Sequence, residues 1–380
     1  FFKQKTAYEM LRSLVGSEMC IRDRTLIARR NWRAINVAFD EMGSYYNAFT
    51  GKERTFYFGW VPADQIERQI ELLADMMRSV LPADEFEVER GVILEEIAMS
   101  KDAIEHLAWD LIHERLCPGH PLGWSVLGTE ATIKAMTRDR MYAYFRERYN
   151  PANMVLIATG RIDPEHVVAV AERLCGDWPS EGQVDHRVPP TFKTGTVTQQ
   201  VERFNQQAIA VVLPAPRAGH PDAEVARALA SVLGGDNSRF FWKIIQTGLA
   251  HEAGVYWVAY GDCGLMVLDG LCVPEKAEGL ARAIQAEAVK ITREGVDSSE
   301  LQRVKNKRRT GLAAESEATY HRLLQVAEDV CDYGYPRTVQ ERLAAIEEVT
   351  VERVTRYLKE WPVDTEGLLV SLGPRNWPEV

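Results

Sequence analysis

Three glutamates in one predicted helix are the residues of this sequence best placed to do chemistry. The segment FEVERGVILEEI, Phe86–Ile97, carries Glu89, Glu95 and Glu96. Glu89 and Glu96 are about two helical turns apart, so a helix stacks their carboxylates on one face, whereas Glu95 points about 100° away. Two stacked acids can serve a metal ion, one as a ligand and one behind a ligand. Taken alone, the pattern favours a solvated acidic face.

The helix that positions these acids is predicted from its start and from its apolar residues. Asp84 followed by Glu87 has the form of a capping box, which predicts a helix beginning near Glu85. The apolar residues that fall on or near one stripe, and should face a core, are Phe86, Val92, Ile93 and Ile97.

The segments around this helix carry a family resemblance. Upstream stand GSYYNAFTGKERTFYFGWVP, residues 43–62, and LLADMMRSVL; downstream stand GHPLGWSVLGT, residues 119–129, and RYNPANMVLIATGRIDPEHV, residues 148–167. In order and spacing they resemble the pitrilysin and mitochondrial processing peptidase family, zinc endopeptidases of the inverzincin type. The resemblance runs from about Asn31 to near the C-terminus, and its N-terminal half is the specific part.

The resemblance implies a role for each glutamate. In the family, the second Glu of Glu-x6-Glu is the third zinc ligand, which implies Glu96 as the ligand, Glu89 as the acid that steadies a liganding histidine, and Glu95 as a bystander. The other two ligands and the general base come from H-x-x-E-H, roughly 75 residues before the third ligand. This chain reads SEMCIRDRT there, and no histidine precedes His106. The implied zinc metalloendopeptidase therefore lacks its motif here, and we expect the chain as given to be inactive.

The opening residues 1–24 resemble no part of the family. They resemble translated sequencing-adapter sequence, so we predict a non-native segment replacing the true N-terminus; a divergent native start and a targeting peptide are the alternatives. We expect the first domain to lack its opening strand and residues 1–24 to pack poorly or form an isolated helix. A well-buried central strand made by these residues would contradict that interpretation.

The resemblance also implies where a peptide substrate would lie. The family's substrate-pairing edge strand is matched by Asn47, Ala48, Phe49 and Thr50. Asn47 is implied as a side-chain contact to the peptide. Its plainer interpretation is a residue that flanks a turn. Two bowl-like halves around a chamber would restrict substrates to short or unfolded peptides.

The second half of the chain departs from the family. Residues 234–239, GGDNSR, match a phosphate loop only weakly and better match the family's glycine-rich turn before a Ser-Arg helix. An Arg and a Tyr often follow there and hold the substrate backbone, but the comparable places hold Ile245, Gln246 and His251. This favours a subunit whose homologous partner, in a hetero- or homodimer, supplies the missing pair.

Composition narrows the class of protein. The 380 residues, 46% of them hydrophobic, exceed one comfortable core and predict two domains. A net charge of −10 without a basic stripe argues against nucleic acid and anionic membranes as partners. Scattered cysteines predict reduced thiols, and no apolar stretch is long enough to span a membrane. The compartment stays open between cytoplasm and periplasm, in a protein expected to be bacterial.

His106 and His113, seven residues apart in a predicted helix over residues 102–116, could suggest a second metal site. Solvated or hydrogen-bonded histidines are the favoured interpretation.

The predicted fold class is α+β, with two homologous domains. Each is expected to be a mainly antiparallel sheet with helices packed on one face, the first domain being incomplete. The expected boundaries are residues 25–180 and 200–380, with a Pro/Gly/Thr-rich linker at 181–199. Residues 45–61 predict a hairpin turning at Thr50-Gly51-Lys52.

Three functions from different classes follow from the sequence. The first is a zinc endopeptidase subunit, truncated here, which the two stacked glutamates favour. The second is a non-catalytic partner or structural subunit of the same fold, which would have no reason to keep both glutamates. The third is an unrelated α+β binding module, which the ordered series of motifs disfavours.

Overall fold

The computed structural model describes residues 2–5, 32–179 and 188–378, with the backbone alone for residues 2–5, 32 and 33. The strands of these residues are β1 (Phe2–Lys5), β2 (Tyr45–Thr50), β3 (Arg54–Trp60), β4 (Met154–Leu156), β5 (Gly195–Gln200), β6 (Gln207–Ala215), β7 (Glu252–Ala259), β8 (Gly264–Cys272) and β9 (Leu368–Gly373). The helices are α1 (Trp32–Glu41), α2 (Ile66–Met77), α3 (Ala83–Ser100), α4 (Ile104–Leu116), α5 (Glu130–Lys134), α6 (Arg138–Arg148), α7 (Pro164–Cys175), α8 (Ala223–Gly234), α9 (Ala277–Glu294), α10 (Ser298–Glu317), α11 (Thr319–Tyr333), α12 (Val339–Glu347) and α13 (Val351–Glu360).

The chain forms two compact units that exchange segments. The first comprises the described parts of Phe1–Ser100, Trp124–Arg187 and Glu317–Glu328; the second comprises Lys101–Gly123, Val188–Ser316 and Asp329–Val380. A single boundary near residues 181–199 therefore does not separate the two units. Residues 101–123 belong to the second unit and residues 317–328 to the first, because the packing of an amphipathic helix depends on distant partners that local sequence does not reveal.

The first unit is built on an antiparallel sheet of order β2-β3-β1-β4. The predicted hairpin is confirmed, with Tyr45 opposite Trp60 and Thr50 opposite Thr55. Helices α1 and α2 cover one face, where Phe39 and Leu72 pack against Tyr57. This antiparallel sheet with helices confirms the α+β class for the first unit.

Strand β1 contradicts one expectation. Phe2–Lys5 lies between β3 and β4 and pairs with both, so the first sheet does not lack a strand at this place. Strand pairing uses backbone groups that any sequence can offer, so the pairing does not depend on the residue types of this segment. Residues 6–24 lie outside the described residues, and the interpretation of residues 1–24 as foreign to the domain stays a prediction.

The second unit holds a sheet of order β5-β9-β6-β8-β7, antiparallel except for the parallel pair of β5 and β9. Leu229 of α8 and Leu280 of α9 belong to the core on one face. Leu111 of α4 packs on the opposite face. This sheet thus carries helices on both faces, whereas the sequence predicted one, and the nearly continuous apolar runs of β6 and β8 are typical of strands buried on both sides.

The linker expected at residues 181–199 overlaps a strand, β5. Residues 181–199 were expected to connect the domains without regular structure, but Gly195–Gln200 pairs in parallel with β9. Residues 180–187 lie outside the described part. None of the helices in the described ranges combines the length and the apolar character needed to cross a bilayer.

Asp269 interrupts the otherwise buried strand β8. It is the one half-buried position of that strand and lies opposite Gly254 of β7. Burial raises the pKa of its carboxyl to about 7, and the charge of Glu252 adds to the rise, while backbone hydrogen bonds at Gly254 and at Asp269 itself oppose it.

The pKa of Asp269 predicts a pH-dependent stability. A carboxyl whose pKa is higher in the folded chain than in the unfolded one favours folding below its unfolded pKa, and this contribution is lost as the pH rises through about 7. Asp269→Asn should therefore raise the melting temperature by about 2–4 °C at pH 8 and much less at pH 5. Thermal unfolding at both pH values measures the difference; equal shifts at both would contradict it.

Candidate metal and peptide-binding site

Helix α3 presents Glu89, Glu95 and Glu96 at different depths. Phe86, Ile93 and Ile97 are buried along one side of the helix. Glu89 lies on that same side and is only 1% exposed, whereas Glu96 is half-buried and Glu95 is exposed. Glu96 is therefore the one of the stacked pair that solvent can reach. The roles of Glu89 and Glu96 toward a metal stay predictions.

The sequence of α3 explains why the helix is held firmly. Its buried apolar side packs with Ile133, Met141 and Tyr144 from the helical segments that follow. The helix begins at Ala83, with the carbonyl of Pro82 accepting from the Phe86 amide. The predicted start near Glu85 is thus late by two residues, and Asp84 lies inside the first turn, where a negative charge still favours the helix dipole.

The described residues do not complete a zinc site by themselves. Catalytic zinc is usually held by three protein ligands. Within the parts of the chain that the structure describes, no group of three His, Cys, Asp or Glu side chains could hold a metal ion. Two further ligands beside the candidate Glu96 would therefore have to come from outside the described residues.

The histidines of α4 have a different environment from that of metal ligands. His106 is exposed, whereas His113 is 1% exposed. The Nδ1 of His113 lies 2.9 Å from the Trp109 carbonyl oxygen and its Nε2 lies 2.7 Å from the Tyr260 hydroxyl. Since a carbonyl only accepts, Nδ1 donates to Trp109, and the contact of Nε2 with the Tyr260 hydroxyl ties α4 to the residue that follows β7.

Strand β2, the strand expected to pair with a peptide, lies at one side of the first sheet. It ends the first sheet, and no strand within the described ranges pairs with its other edge. The Gly51 amide donates to the Arg54 carbonyl at the hairpin turn. Hydrogen-bonded and non-bonded pairs alternate along an antiparallel ladder, so the backbone groups of Tyr46, Ala48 and Thr50 are directed away from β3.

Asn47 covers one of these outward groups. Its Oδ1 accepts from the Ala48 amide at 2.8 Å, which is independent evidence that this amide is not used by β3. Asn47 itself is exposed. The sequence predicted Asn47 as a peptide contact, and the structure places it at the open edge; the contact itself stays a prediction.

One side of the hairpin is lined by aromatic rings. Tyr45, Phe49, Phe56, Phe58 and Trp60 share the face opposite to α1 and α2, because paired residues lie on the same face. Neighbouring rings stack, with centroids 5.2 Å apart for Tyr45 and Trp60 and 4.7 Å for Phe49 and Phe56. The alternation of aromatic residues in the sequence is a sufficient signal for this face.

Tyr320 joins this face from a distant part of the chain. It stands at the start of α11, in the segment that belongs to the first unit. Its ring centroid lies 5.1 Å from that of Phe58 and 5.0 Å from that of Trp60. No local pattern in the sequence could have identified this residue.

The glycine-rich turn of the second unit is anchored by Arg239. Its guanidinium donates to both carboxylate oxygens of Glu300, at 3.0 and 2.8 Å, and to the Gly295 carbonyl at 3.0 Å. Gly234 is required by packing, since a Cβ there would lie 2.0 Å from the Val255 nitrogen. A cleft of about 610 Å³ opens beside the turn. Because Arg239 is neutralised by Glu300, this geometry does not support a phosphate loop.

The comparisons with known proteins agree with this architecture. Residues 28–130 match the model of the insulinase family, peptidase family M16, and residues 135–308 match that of the peptidase M16 inactive domain. An uncharacterized zinc protease from Mycobacterium bovis is 30% identical over 348 residues, which covers 89% of this chain and 79% of that protein.

Solved structures show the same fold. A protease from Helicobacter pylori superposes with a TM-score of 0.87 at 18% identity, over 98% of this chain and 93% of that one. A peptidase M16 inactive domain from Pseudomonas fluorescens superposes with a TM-score of 0.86 at 18% identity, over 98% and 92%. Fold and relatives together define a zinc-protease-like protein. The chain belongs to peptidase family M16.

Proposed function

We propose that this chain is the peptide-binding part of an M16 zinc endopeptidase subunit that acts on short or unfolded polypeptides. The observation that carries the proposal is the position of β2 at the edge of the described sheet, where the Ala48 amide faces away from β3 and donates to the Asn47 side chain. An extended peptide can add to such an edge as a further strand. Membership of family M16 supplies the reaction class, peptide hydrolysis.

The zinc chemistry belongs to the intact parent protein in this proposal. There, Glu96 would be one ligand, two histidines of H-x-x-E-H would be the others, and Glu89 would steady one of those histidines. The half-buried position of Glu96 and the buried position of Glu89 support this division of roles, since a ligand must be reached and a supporting acid need not be. The chain as given binds peptide and does not hydrolyse it.

A partner subunit completes the proposal. The places where the family often has an Arg and a Tyr hold Ile245, Gln246 and His251. Residues 241–245 form a single π-helical turn, and His251 is exposed. A homologous partner that carries the Arg and Tyr would restore the hold on the substrate backbone.

A non-catalytic subunit of the same fold is the second candidate function. The chain contains no H-x-x-E-H, and residues 135–308 match a model described as inactive. The two candidate functions differ in whether Glu89 and Glu96 serve a zinc ion. Zinc binding that depends on these glutamates, in a chain that includes H-x-x-E-H, would favour the endopeptidase subunit over the non-catalytic one.

The experiment that tests peptide binding removes one amide from the open edge. Ala48→Pro deletes the outward N–H without removing a bond to β3, and proline is tolerated on edge strands in that orientation. We expect affinity for a short fluorescein-labelled unfolded peptide to fall about tenfold or more, because the ring also blocks strand pairing, while the melting temperature changes little. Fluorescence anisotropy measures the affinity.

Ala48→Ser is the matched control. It keeps the amide and a small side chain at the buried position, so its peptide affinity should stay within about twofold of the parent chain. If the proline variant binds the peptide as well as the serine variant does, β2 is not the peptide-binding edge.

A further inference from the structure

We propose that the cleft beside the glycine-rich turn of the second unit binds a small phosphorylated aromatic compound, a planar ring that carries a phosphate monoester. The cleft has a volume of about 610 Å³. Sites for small ligands typically measure about 300–1,000 Å³. Residues 235–239, the second half of α9 and the first half of α10 line the cleft, and all belong to the second unit. The proposal is independent of peptide binding at β2, which lies in the first unit.

Trp242 supplies a surface for the ring of the ligand. Its indole lines the cleft and is 56% exposed, although tryptophan is highly buried on average. Its Nε1 donates to the Asn237 carbonyl at 3.2 Å, which ties the indole to the glycine-rich turn. It lies in the π-helical turn of residues 241–245, and such turns are frequent at functional sites. An indole held in this way can stack on a planar ring at little cost in side-chain freedom.

Two lysines border the cleft from different elements. Lys243 follows Trp242 in the π-helical turn, and Lys290 lies in α9. Both are exposed, and within the part of the chain that the structure describes neither side chain forms a hydrogen bond or an ion pair. A phosphate monoester presents three acceptor oxygens, so ammonium groups from two elements can donate to it together.

Arg239 adds a donor to the cleft but little net charge. Its Nε and Nη2 donate to Glu300, whereas its Nη1 is buried and has no acceptor among the described residues. A buried N–H group without an acceptor is uncommon in native proteins, so Nη1 is a candidate third donor to the phosphate. Because Glu300 offsets the guanidinium charge, Arg239 would contribute a hydrogen bond, and the attraction of the anion would come from the lysines.

The carboxylates of the cleft explain why the ligand needs a ring as well as an anion. Six basic and five acidic residues line the cleft, so its net charge is small. Glu300 and Asp297 are engaged by hydrogen bonds within the protein. Glu287 and Glu294 lie about one turn to either side of Lys290 in α9 and weaken its attraction for an anion. A phosphate without a ring should therefore bind weakly, and stacking on Trp242 should supply the remaining affinity.

The test measures binding of four simple probes to the full chain by isothermal titration calorimetry at low ionic strength. Phenyl phosphate carries both groups, inorganic phosphate only the anion, benzyl alcohol only the ring, and benzoate a ring with two acceptor oxygens. We expect phenyl phosphate to bind at least about tenfold more tightly than inorganic phosphate or benzyl alcohol, and about fivefold more tightly than benzoate.

Variants of the cleft separate the two contributions. Trp242→Ala should weaken phenyl phosphate about 5- to 10-fold and leave inorganic phosphate within about twofold. Lys243→Gln combined with Lys290→Gln should weaken both phosphates about tenfold and reduce the dependence of binding on salt. The matched controls are Tyr335→Ala, which removes a 52% exposed ring of the same unit, and Lys359→Gln, which removes an exposed lysine; both should bind as the parent chain does.

Several outcomes would overturn the proposal. Absence of phenyl phosphate binding would remove the site, and benzyl alcohol binding as tightly as phenyl phosphate would show that the anion has no role. Benzoate binding as tightly as phenyl phosphate would contradict the choice of a phosphate. Equal affinity of Trp242→Ala and the parent chain for phenyl phosphate would place the ligand elsewhere. Should Trp242→Ala fail to fold, Trp242→Met gives the same comparison, because it keeps an apolar side chain without a ring.

Discussion

A chimera that carries an H-x-x-E-H segment joined ahead of Thr25 is expected to hold zinc, and Glu96→Gln is expected to release it. The chimera would supply two histidines, and Glu96 would complete the three protein ligands that catalytic zinc usually has. An amide is a far weaker ligand than a carboxylate for zinc, so the loss should be nearly complete after dialysis against a chelator. The chain as given should hold no stoichiometric zinc. Metal content by atomic emission measures both.

The neighbouring glutamates of α3 are the controls for this result. Glu89→Gln should lower zinc affinity about 10- to 100-fold, the usual effect of changing a group that supports a ligand. Glu95→Gln should leave zinc unchanged, because Glu95 is exposed on another side of α3. If Glu95→Gln lost the metal while Glu96→Gln kept it, the assignment along the helix would be off by one residue. If zinc bound equally in all three variants, the non-catalytic subunit would be the better interpretation.

Loss of the Asp329 carboxylate is expected to cause the largest fall in stability. Asp329 is 1% exposed and accepts from the side chains of both Arg337 and Arg342, at 2.8 and 2.7 Å for the closest ion pairs. It also accepts from the Arg337 amide at 3.0 Å, which ties the end of the loop before α12 to α11. Asp329→Ala would leave two largely buried guanidinium groups without this carboxylate and should cost about 3–5 kcal/mol. Urea unfolding measures the cost.

An exposed ion pair of the same unit provides the comparison. Glu348 is 70% exposed and lies 3.5 Å from Arg353, so Glu348→Ala should change the free energy of unfolding by less than about 1 kcal/mol. Asp329→Asn keeps the shape and one acceptor and should fall between the two. Equal losses for Asp329→Ala and Glu348→Ala would show that burial of the Asp329 group contributes little.

The elements that sequence predicted well are those with strong local periodicity. The hairpin of β2 and β3 followed from alternating aromatic residues around Gly51, and α3 followed from apolar residues at helical spacing. Helix geometry predicted that Glu95 points away from the face of Glu89 and Glu96, whereas the burial of Glu89 was not predicted. The α+β class with antiparallel-rich sheets was expected from the family resemblance, with which the order of the predicted elements agrees.

The elements that sequence missed depend on distant partners. Strand β5 has little apolar alternation, because it is an edge strand held through β9, and only Thr196, Val197 and Thr198 gave a β-branched signal. The packing of α4 on the second sheet and the stacking of Tyr320 on Phe58 join residues far apart in the chain. The candidate peptide edge was expected from the family resemblance, whereas the aromatic contact of Tyr320 required the structure.

The exchange of segments between the two units limits how the protein can be made. A single cut between residues 180 and 194 would give an N-terminal fragment that carries α4 without the sheet that buries Ile104, Leu111 and Leu116. That fragment would also lack residues 317–328, so it should aggregate when expressed alone and recover only on mixing with the C-terminal fragment. On the ribosome the same connectivity delays completion of the first unit until residue 328 has emerged. The nascent chain would then need its apolar surfaces shielded through most of its synthesis.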